Sequence, residues 1–464
     1  MKKSTWISEI FNGSTSLGEI TVRGWVRSVR KKKAFSFMVI NDGSTQHNLQ
    51  LVLDCDIVNY EALSSCLAGS CVEIFGDLIH SQGQNQSFEV VAKSGVVLGN
   101  STEDYPLQKK ATSLEFLREN AHFRARTNLF GAVFRIRNKL AFATHRFFQE
   151  RGFYYINTPI ITGIDAEGAG EMFNVSTLSP DKIRKRENGE FDYKKDYFGK
   201  STSLTVSGQL EAETFAMGMG RVYTFGPTFR SENSNTARHL AEFWMIEPEV
   251  AFAELEDVAA LGADYIKYLI NSALAECSED LTFLENREEV DSGLVERLKL
   301  VGSSEFTKIT YTDAVRILQE SGKVFEYPVE WGKELQTEHE RFLSEVKYNG
   351  PVIVTDYPKD CKAFYMKQNE DGKTVRAMDI LLPGVGEIIG GSQREENLHK
   401  LQNRMEEMGM DQKALWWYLD LRKHGTAPHA GFGLGFERAV MYITGMKNIR
   451  DVIPFPRTPK SADF

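Results

Sequence analysis

Residues Thr228–Val250, TFRSENSNTARHLAEFWMIEPEV, constrain the fold more than any other stretch of the chain. Two apolar-rich flanks enclose a polar run, Asn233 to Ala237, which is followed by the cations Arg238 and His239. If the flanks are strands, alternate side chains share a face: Arg230 projects with Glu232, and Phe243 projects with Met245, Glu247 and Glu249. That face offers a guanidinium, a carboxylate, an aromatic plane and a further carboxylate. Phe243 and Glu247 then lie roughly 13 Å apart, at about 3.3 Å per residue, the length of a nucleotide joined to a small acid. An antiparallel hairpin with a merely solvated polar face accounts for the same pattern.

The 464 residues, 42% of them hydrophobic, can bury a large core and predict two or more domains. No run approaches the roughly 20 apolar residues of a membrane span, and MKKSTWISEIF is too polar after its lysines for a signal peptide. A cytoplasmic chain with no membrane partner is the expectation. The net charge of -9 argues against indiscriminate nucleic-acid binding, so any RNA contact must be a local basic patch. Cys66 and Cys71 have no second close pair to complete a zinc site, and the five cysteines read as buried free thiols.

The segments 20–26, 35–40, 48–53, 71–76 and 87–92 read as short strands separated by turn residues, which suits a small five-stranded barrel such as the OB-fold. Arg27, Arg30, Lys31, Lys32 and Lys33 crowd its first connection beside Phe35 and Phe37. Phe35 is expected inside the barrel. Cations for phosphates beside aromatic planes for unstacked bases suit single-stranded RNA. The predicted layout is a barrel over 1–100, a charged hinge over 101–125 with Pro106, and a larger domain over 126–464.

In the larger domain, Val133, Ile136, Leu140, Ala143 and Phe147 mark one stripe of a helix over 132–149, stopped at Arg151-Gly152. Residues 167–171, EGAGE, read as a mobile loop, and Pro180 to Lys200 as an exposed insertion without assigned chemistry. Helices are expected over 255–277 and through most of 281–349. Asp379 and Glu387 bracket a glycine turn between two strands, where paired carboxylates suit a hard cation. Strict alternation puts Glu387 on the opposite face from Ser392 and Arg394, and a bulge at Gly390-Gly391 would restore the parity. Gly431, Gly433 and Gly435 are expected to let a strand and the next helix pack closely. Arg438 falls in that helix's first turn, where the dipole disfavours a cation, so its position implies an anionic ligand.

These words, with LTVSGQLEAE at 204–213 and HAGFGLGFERAVMYITG at 429–445, resemble motifs of the class II aminoacyl-tRNA synthetases, and most closely those of the asparaginyl branch of the aspartyl, asparaginyl and lysyl subgroup. The resemblance runs through most of the chain. It implies an α+β architecture: an N-terminal OB-fold β-barrel that binds the anticodon, plus a class II catalytic domain whose antiparallel sheet is flanked by helices. It also implies a homodimer through the 132–162 region, and ATP, magnesium, L-asparagine and the tRNA for asparagine as ligands. On that likeness Arg230 would bind the α-phosphate, and His239 and Arg438 the outer phosphates. Glu232 would accept from the adenine amino group while Phe243 stacks the ring. Glu387, Ser392 and Asp379 would hold magnesium.

Glu167 and Gln209 would hold the amino acid's ammonium, with His429 also at that site. Glu247 would accept from the side-chain amide nitrogen and Arg394 would donate to its oxygen. In the barrel Phe37 would stack the middle anticodon base, Gln50 would read its edge and Glu89 the first base, with Arg27 and Lys31 on phosphates. The aspartyl enzymes are the nearest alternative, and they carry a lysine where this chain has Ala212. A synthetase-like paralogue that does not aminoacylate tRNA is the other.

Overall fold

The computed structural model describes residues 4–464 apart from 84–85, 108–111, 167–171, 183, 186, 188, 190 and 235. Two compact units emerge, Met1–Arg135 with Phe464 and Ile136–Asp463, the division falling inside the helix Asn128–Glu150.

In the first unit β1 (Gly18–Lys31), β2 (Phe35–Asn41), β3 (Leu49–Asp54), β4 (Cys71–His80) and β5 (Phe88–Gly99) close a barrel in the order β1-β2-β3-β5-β4. All pairs are antiparallel except β3 with β5. This is the expected OB-fold. Alternation decides the interior: Val22, Val26, Met38, Ile40, Leu49, Leu51, Leu53, Val72, Ile74 and Val90 point inward. Phe35 does not join them. In β2 the inward set is Ser36, Met38 and Ile40, so period two puts Phe35 on the outer face with Phe37.

The second unit is built on eight strands in the order β14-β15-β16-β17-β18-β13-β12-β6. They are β6 (Tyr154–Tyr155), β12 (Arg221–Phe229), β13 (Glu242–Ala251), β14 (Thr307–Thr310), β15 (Val352–Pro358), β16 (Thr374–Leu382), β17 (Gly386–Gln393) and β18 (His429–Gly435). Only the outer pairs β14–β15 and β12–β6 are parallel. A small second sheet, β7-β11-β8, joins Ile161–Thr162, Thr202–Leu204 and Asn174–Val175. The helix Asn128–Glu150 contains the expected stripe, and Gly152, at φ +73, supplies the left-handed residue that ends the turn after it.

One face of the central strands packs against the helix Leu255–Glu276. Its Val258, Ile266, Leu269 and Ile270 are buried, each stabilising the unit by roughly 1.5–3 kcal/mol. Gly262 lets the helix approach, since a β-carbon there would stand 3.0 Å from the Ile380 side chain. Phe432 and Leu434 share this apolar face, so Gly431, Gly433 and Gly435 face the other way. Their purpose therefore differs from the expected strand–helix packing. A β-carbon at Gly431 would stand 2.2 Å from a Glu249 carboxylate oxygen, and one at Gly433 would stand 2.8 Å from the Met245 methyl. The glycines clear the ligand face of the sheet.

The region 281–349 is less helical than expected. Thr307–Thr310 forms the edge strand β14, and 321–336 has no regular element, in keeping with Gly322, Pro328 and Gly332. All five cysteines are free thiols, but only Cys66 and Cys277 are buried and Cys55 is exposed. Among the described residues no helix is long and apolar enough to cross a membrane.

Candidate active site and nucleic-acid face

The hairpin β12–β13 and the strands β17 and β18 enclose a cavity of about 200 Å³. Arg230, Glu232, His239, Phe243, Glu387 and Arg438 all line it, with Arg238. The Arg230 guanidinium lies 5.5 Å from the centre of the Phe243 ring. His239 Nε2 is 3.9 Å from Glu232, and its Nδ1 meets the hydroxyls of Thr236 at 2.6 Å and Ser234 at 3.0 Å. Arg438 donates to the Glu387 carbonyl at 3.2 Å and stands 3.8 Å from that residue's carboxylate. Burial and then the neighbouring Arg438 hold Arg238 below the usual arginine range, with Glu340 acting the other way, so this end of the cavity brings together Arg230, Arg238, His239 and Arg438, a set of cations suited to a polyphosphate.

Carboxylates gather at the adjoining edge. Asp379 pairs with Gly390 across β16–β17, and a β-carbon on Gly390 would stand 3.0 Å from Glu387 Oε1 and 3.5 Å from Asp379 Oδ1. The bulge that brings Glu387 to this face lies at Ile388, because Leu381 pairs with Glu387 while Ile380 pairs with Ile389. It precedes the expected Gly390-Gly391 and has the same effect on parity. Ser392 is not with these carboxylates. Its hydroxyl accepts from Arg394 Nη1 at 2.6 Å, and Gly390 occupies the position beside the acids.

Two unforeseen groups complete the cluster. Lys362 Nζ donates to both Asp379 oxygens at 3.1 and 2.9 Å, and Glu340 accepts from the Glu387 amide at 3.0 Å. Burial, with Glu387 alongside, pushes Glu340 up to about 8. Burial and then Asp379 raise Glu387. Crowded hard oxygens whose repulsion Lys362 and Arg438 offset only in part would fit a magnesium ion, which would lower both values.

Further along β13, beyond the residues that line the cavity, Glu247 is buried and accepts from the Ser207 hydroxyl, the Gly208 amide at 3.0 Å and the Thr224 hydroxyl at 2.9 Å. A carboxylate offers about four acceptor sites, so one remains. Arg394 does not face Glu247 directly. It forms a two-pronged pair with Glu249, two residues on along the same face of β13, using Nε at 3.2 Å and Nη2.

Behind them Glu213 is fully buried and held by Arg422 at 2.9 Å, His429 Nε2 at 3.0 Å and Tyr418 at 2.8 Å. Burial alone would raise Glu213, but Arg422, His429 and Arg394 outweigh it and hold it well below the usual carboxylate range. Glu249, less well compensated, is pushed up to about 8 by burial. Gln209 Nε2 donates to Glu213 at 3.1 Å, so Gln209 and His429 both reach this buried acid. Ala212 lies in an apolar cluster with Ala216, Val222 and Ile156, while Glu213 carries the polar side of the turn. Glu167 lies outside the described residues.

On the barrel, Phe37 stands outward with the Arg30 guanidinium 5.1 Å from its ring centre and Phe35 edge-on at 5.0 Å. Gln50 Nε2 donates to Glu89 at 3.1 Å, two strands brought side by side by the parallel pairing. Lys31 is exposed at the end of β1. Arg27 departs from expectation: a bulge between Val26 and Ser28 redirects it, and its Nη1 donates to the Arg126 carbonyl. Arg30 is the cation beside the aromatic plane.

The family model for tRNA synthetases class II (D, K and N) matches residues 113–459, and one for an OB-fold nucleic-acid-binding domain matches 20–98. The chain belongs to the class II tRNA synthetases of this group. It is 56% identical to an asparagine–tRNA ligase of Alkaliphilus oremlandii over 464 residues, covering the whole of both chains. It is 57% identical to one of Cytophaga hutchinsonii over 461 residues, covering 99% of each. The crystal structure of asparaginyl-tRNA synthetase from Pyrococcus horikoshii complexed with asparaginyl-adenylate superposes with a TM-score of 0.87 at 30% identity, covering 100% of both chains.

In this class II synthetase the groups absent from the sequence reading are Glu340, Lys362, Glu213, Tyr418 and Arg422, together with the role of Glu249. Arg238 reads in the sequence as a cation beside His239 without a role of its own, and the fold places it in the lining of the same cavity. Glu340 lies 47 residues from Glu387, Lys362 lies 17 from Asp379 and Arg422 lies 209 from Glu213.

Proposed function

We propose that the chain ligates L-asparagine to its tRNA through an asparaginyl-adenylate formed from ATP. The observation that carries this reading is the gathering of Arg230, Phe243 and Arg438 around one cavity, with Glu247, and Glu249 holding Arg394, further along the same face of β13 as Phe243. It provides for phosphates, a base and an amide side chain. The asparagine carboxylate attacks the α-phosphorus in line and pyrophosphate leaves. A terminal ribose hydroxyl of the tRNA then attacks the acyl carbon and AMP leaves. No side chain becomes covalently linked; the protein positions the reactants and offsets charge.

Arg230 stabilises the charge that grows on the α-phosphate, and His239 and Arg438 hold the outer phosphates. Glu232 accepts from the adenine amino group over Phe243. Glu387 with Asp379, and Glu340 nearby, would hold magnesium, whose chemistry is to neutralise phosphate oxygens. Glu247 uses its remaining acceptor site for the amide nitrogen, and Arg394, steadied by Glu249, donates to the amide oxygen. Gln209 serves the ammonium. Phe142, Tyr154, Tyr155, Ile160 and Ile161 are exposed apolar side chains suited to a homodimer contact, and the cytoplasm is the compartment we assign.

Two measurements test this. Asparagine should support ATP–pyrophosphate exchange, and aspartate should be rejected by about 10⁴ to 10⁵ in kcat/KM, since it would set a carboxylate against Glu247 and leave a bond unmade. In Glu247→Gln the repulsion is gone, so activity on asparagine should fall and discrimination should shrink. Unchanged discrimination would assign the amide reading elsewhere. In the barrel, reversing Lys31, Lys32 and Lys33 to glutamate should weaken tRNA binding and flatten its salt dependence while exchange stays near the parental rate. Equal loss of exchange and aminoacylation would remove those lysines from the RNA face.

A further inference from the structure

The described residues of 176–201, between β8 and β11, that is all but 183, 186, 188 and 190, are not used by any step above. The segment is pinned by Asp196, buried, which accepts from the Thr177 amide at 2.9 Å, the Thr177 hydroxyl at 2.7 Å and the Tyr197 amide at 2.8 Å. With Asp196 Oδ1 engaged by Thr177 and Tyr197 of the segment itself, the two residues after it turn outward. Tyr197 is 77% exposed and Phe198 48% exposed, their rings edge-on at 4.8 Å. Phe191 is also exposed, with Lys185 Nζ 5.3 Å from its ring centre. Lys182, Lys194, Lys195 and Lys200 are exposed around them. Folding gives no reason to leave large aromatic planes in water, and among the described residues here cations outnumber the interspersed acids Asp181, Glu187, Asp192 and Asp196 although the chain's net charge is -9.

The root of the segment sits where the chemistry is. Leu204 in β11 bonds back to the Phe173 carbonyl at 2.9 Å, and the Thr205 carbonyl accepts from the Phe229 amide at 2.9 Å, one residue before Arg230. Ser207, bound to Glu247, follows directly. The insertion thus springs from the backbone that carries both the phosphate arginine and the amide pocket.

We propose that this insertion is a docking patch for the unpaired 3′ end of the tRNA, its bases stacking on Tyr197 and Phe198 and its phosphates meeting the lysines. The inference rests on the aminoacylation reading above. Exposed aromatic planes interleaved with lysines suit single-stranded RNA, whereas protein interfaces are depleted in lysine at their centres. The occupant is therefore RNA rather than a second protein surface.

The test compares the parent with Tyr197→Ala/Phe198→Ala and with Lys185→Glu/Lys194→Glu/Lys195→Glu. Aminoacylation kcat/KM should fall at least about tenfold, mainly through KM for tRNA, with exchange retained within about twofold. Binding of a tRNA lacking its unpaired 3′ nucleotides should be equal in parent and variants. Aminoacylation within about twofold of parental would overturn the proposal, as would an equal fall in exchange or the same loss on shortened tRNA. Loss of the dimer on sedimentation would assign the patch to subunit packing and also overturn it. A parent without asparagine-dependent exchange would instead sink the proposed function, so the two failures are distinguishable.

Discussion

Arg230→Ala is expected to lower asparagine-dependent ATP–pyrophosphate exchange by about 100- to 1000-fold, or about 2.7 to 4 kcal/mol of transition-state stabilisation. The guanidinium stands at the end of β12, beside the Phe243 ring and close enough to Glu387 to lower its affinity for protons. It faces a cavity, so its removal leaves no hole in the core and the unfolding midpoint should hold. Arg230→Lys should recover little, because a point charge does not reproduce a planar fork on phosphate oxygens. Exchange near the parental rate in the alanine variant, with the fold intact, would take Arg230 out of the chemistry.

Glu213→Ala should destabilise the catalytic unit by about 3 to 5 kcal/mol, the cost of leaving buried cations without their partner. Arg422 and His429 both meet this one carboxylate, and none of the three is exposed to water. The sign of the pH effect follows from the depressed proton affinity of Glu213. Its contribution is present above the unfolded glutamate value, about 4.3, and is lost as pH falls through the still lower folded value. The variant should therefore lack that part of the parent's acid sensitivity. Glu213→Met/Arg422→Met should recover much of the loss, since a buried ion pair is often no better than apolar groups of similar volume. Urea unfolding of the three proteins at neutral and acid pH measures this. A single variant as stable as the parent would show that the network is hydrated.

The sequence alone carried the barrel and the hairpin β12–β13, because period-two alternation is a local property and each strand announces its own inward set. Met38 and Ile40 could be assigned to the interior without knowing which strand lay beside them. The single misassignment in β2 was Phe35, where the appeal of a buried aromatic was set above the parity that Met38 had already decided. The same locality, together with motif words, gathered Arg230, Glu232, His239, Phe243, Glu387 and Arg438, which line one cavity.

Tertiary structure decided what each of these side chains meets. Arg394 and Glu249 are 145 residues apart and Arg422 and Glu213 are 209 apart, so no window of sequence contains either pair. Glu247 and Glu249 share a face, and alternation cannot say which one an arginine from another strand will reach. The register of β17 against its neighbours settles it. A one-residue bulge at Ile388 likewise decides that Glu387 joins Asp379, because a single inserted residue reverses the face of everything beyond it. Side-chain direction is written locally. Partnership depends on which strands lie side by side and in what register, and only the folded sheet determines that.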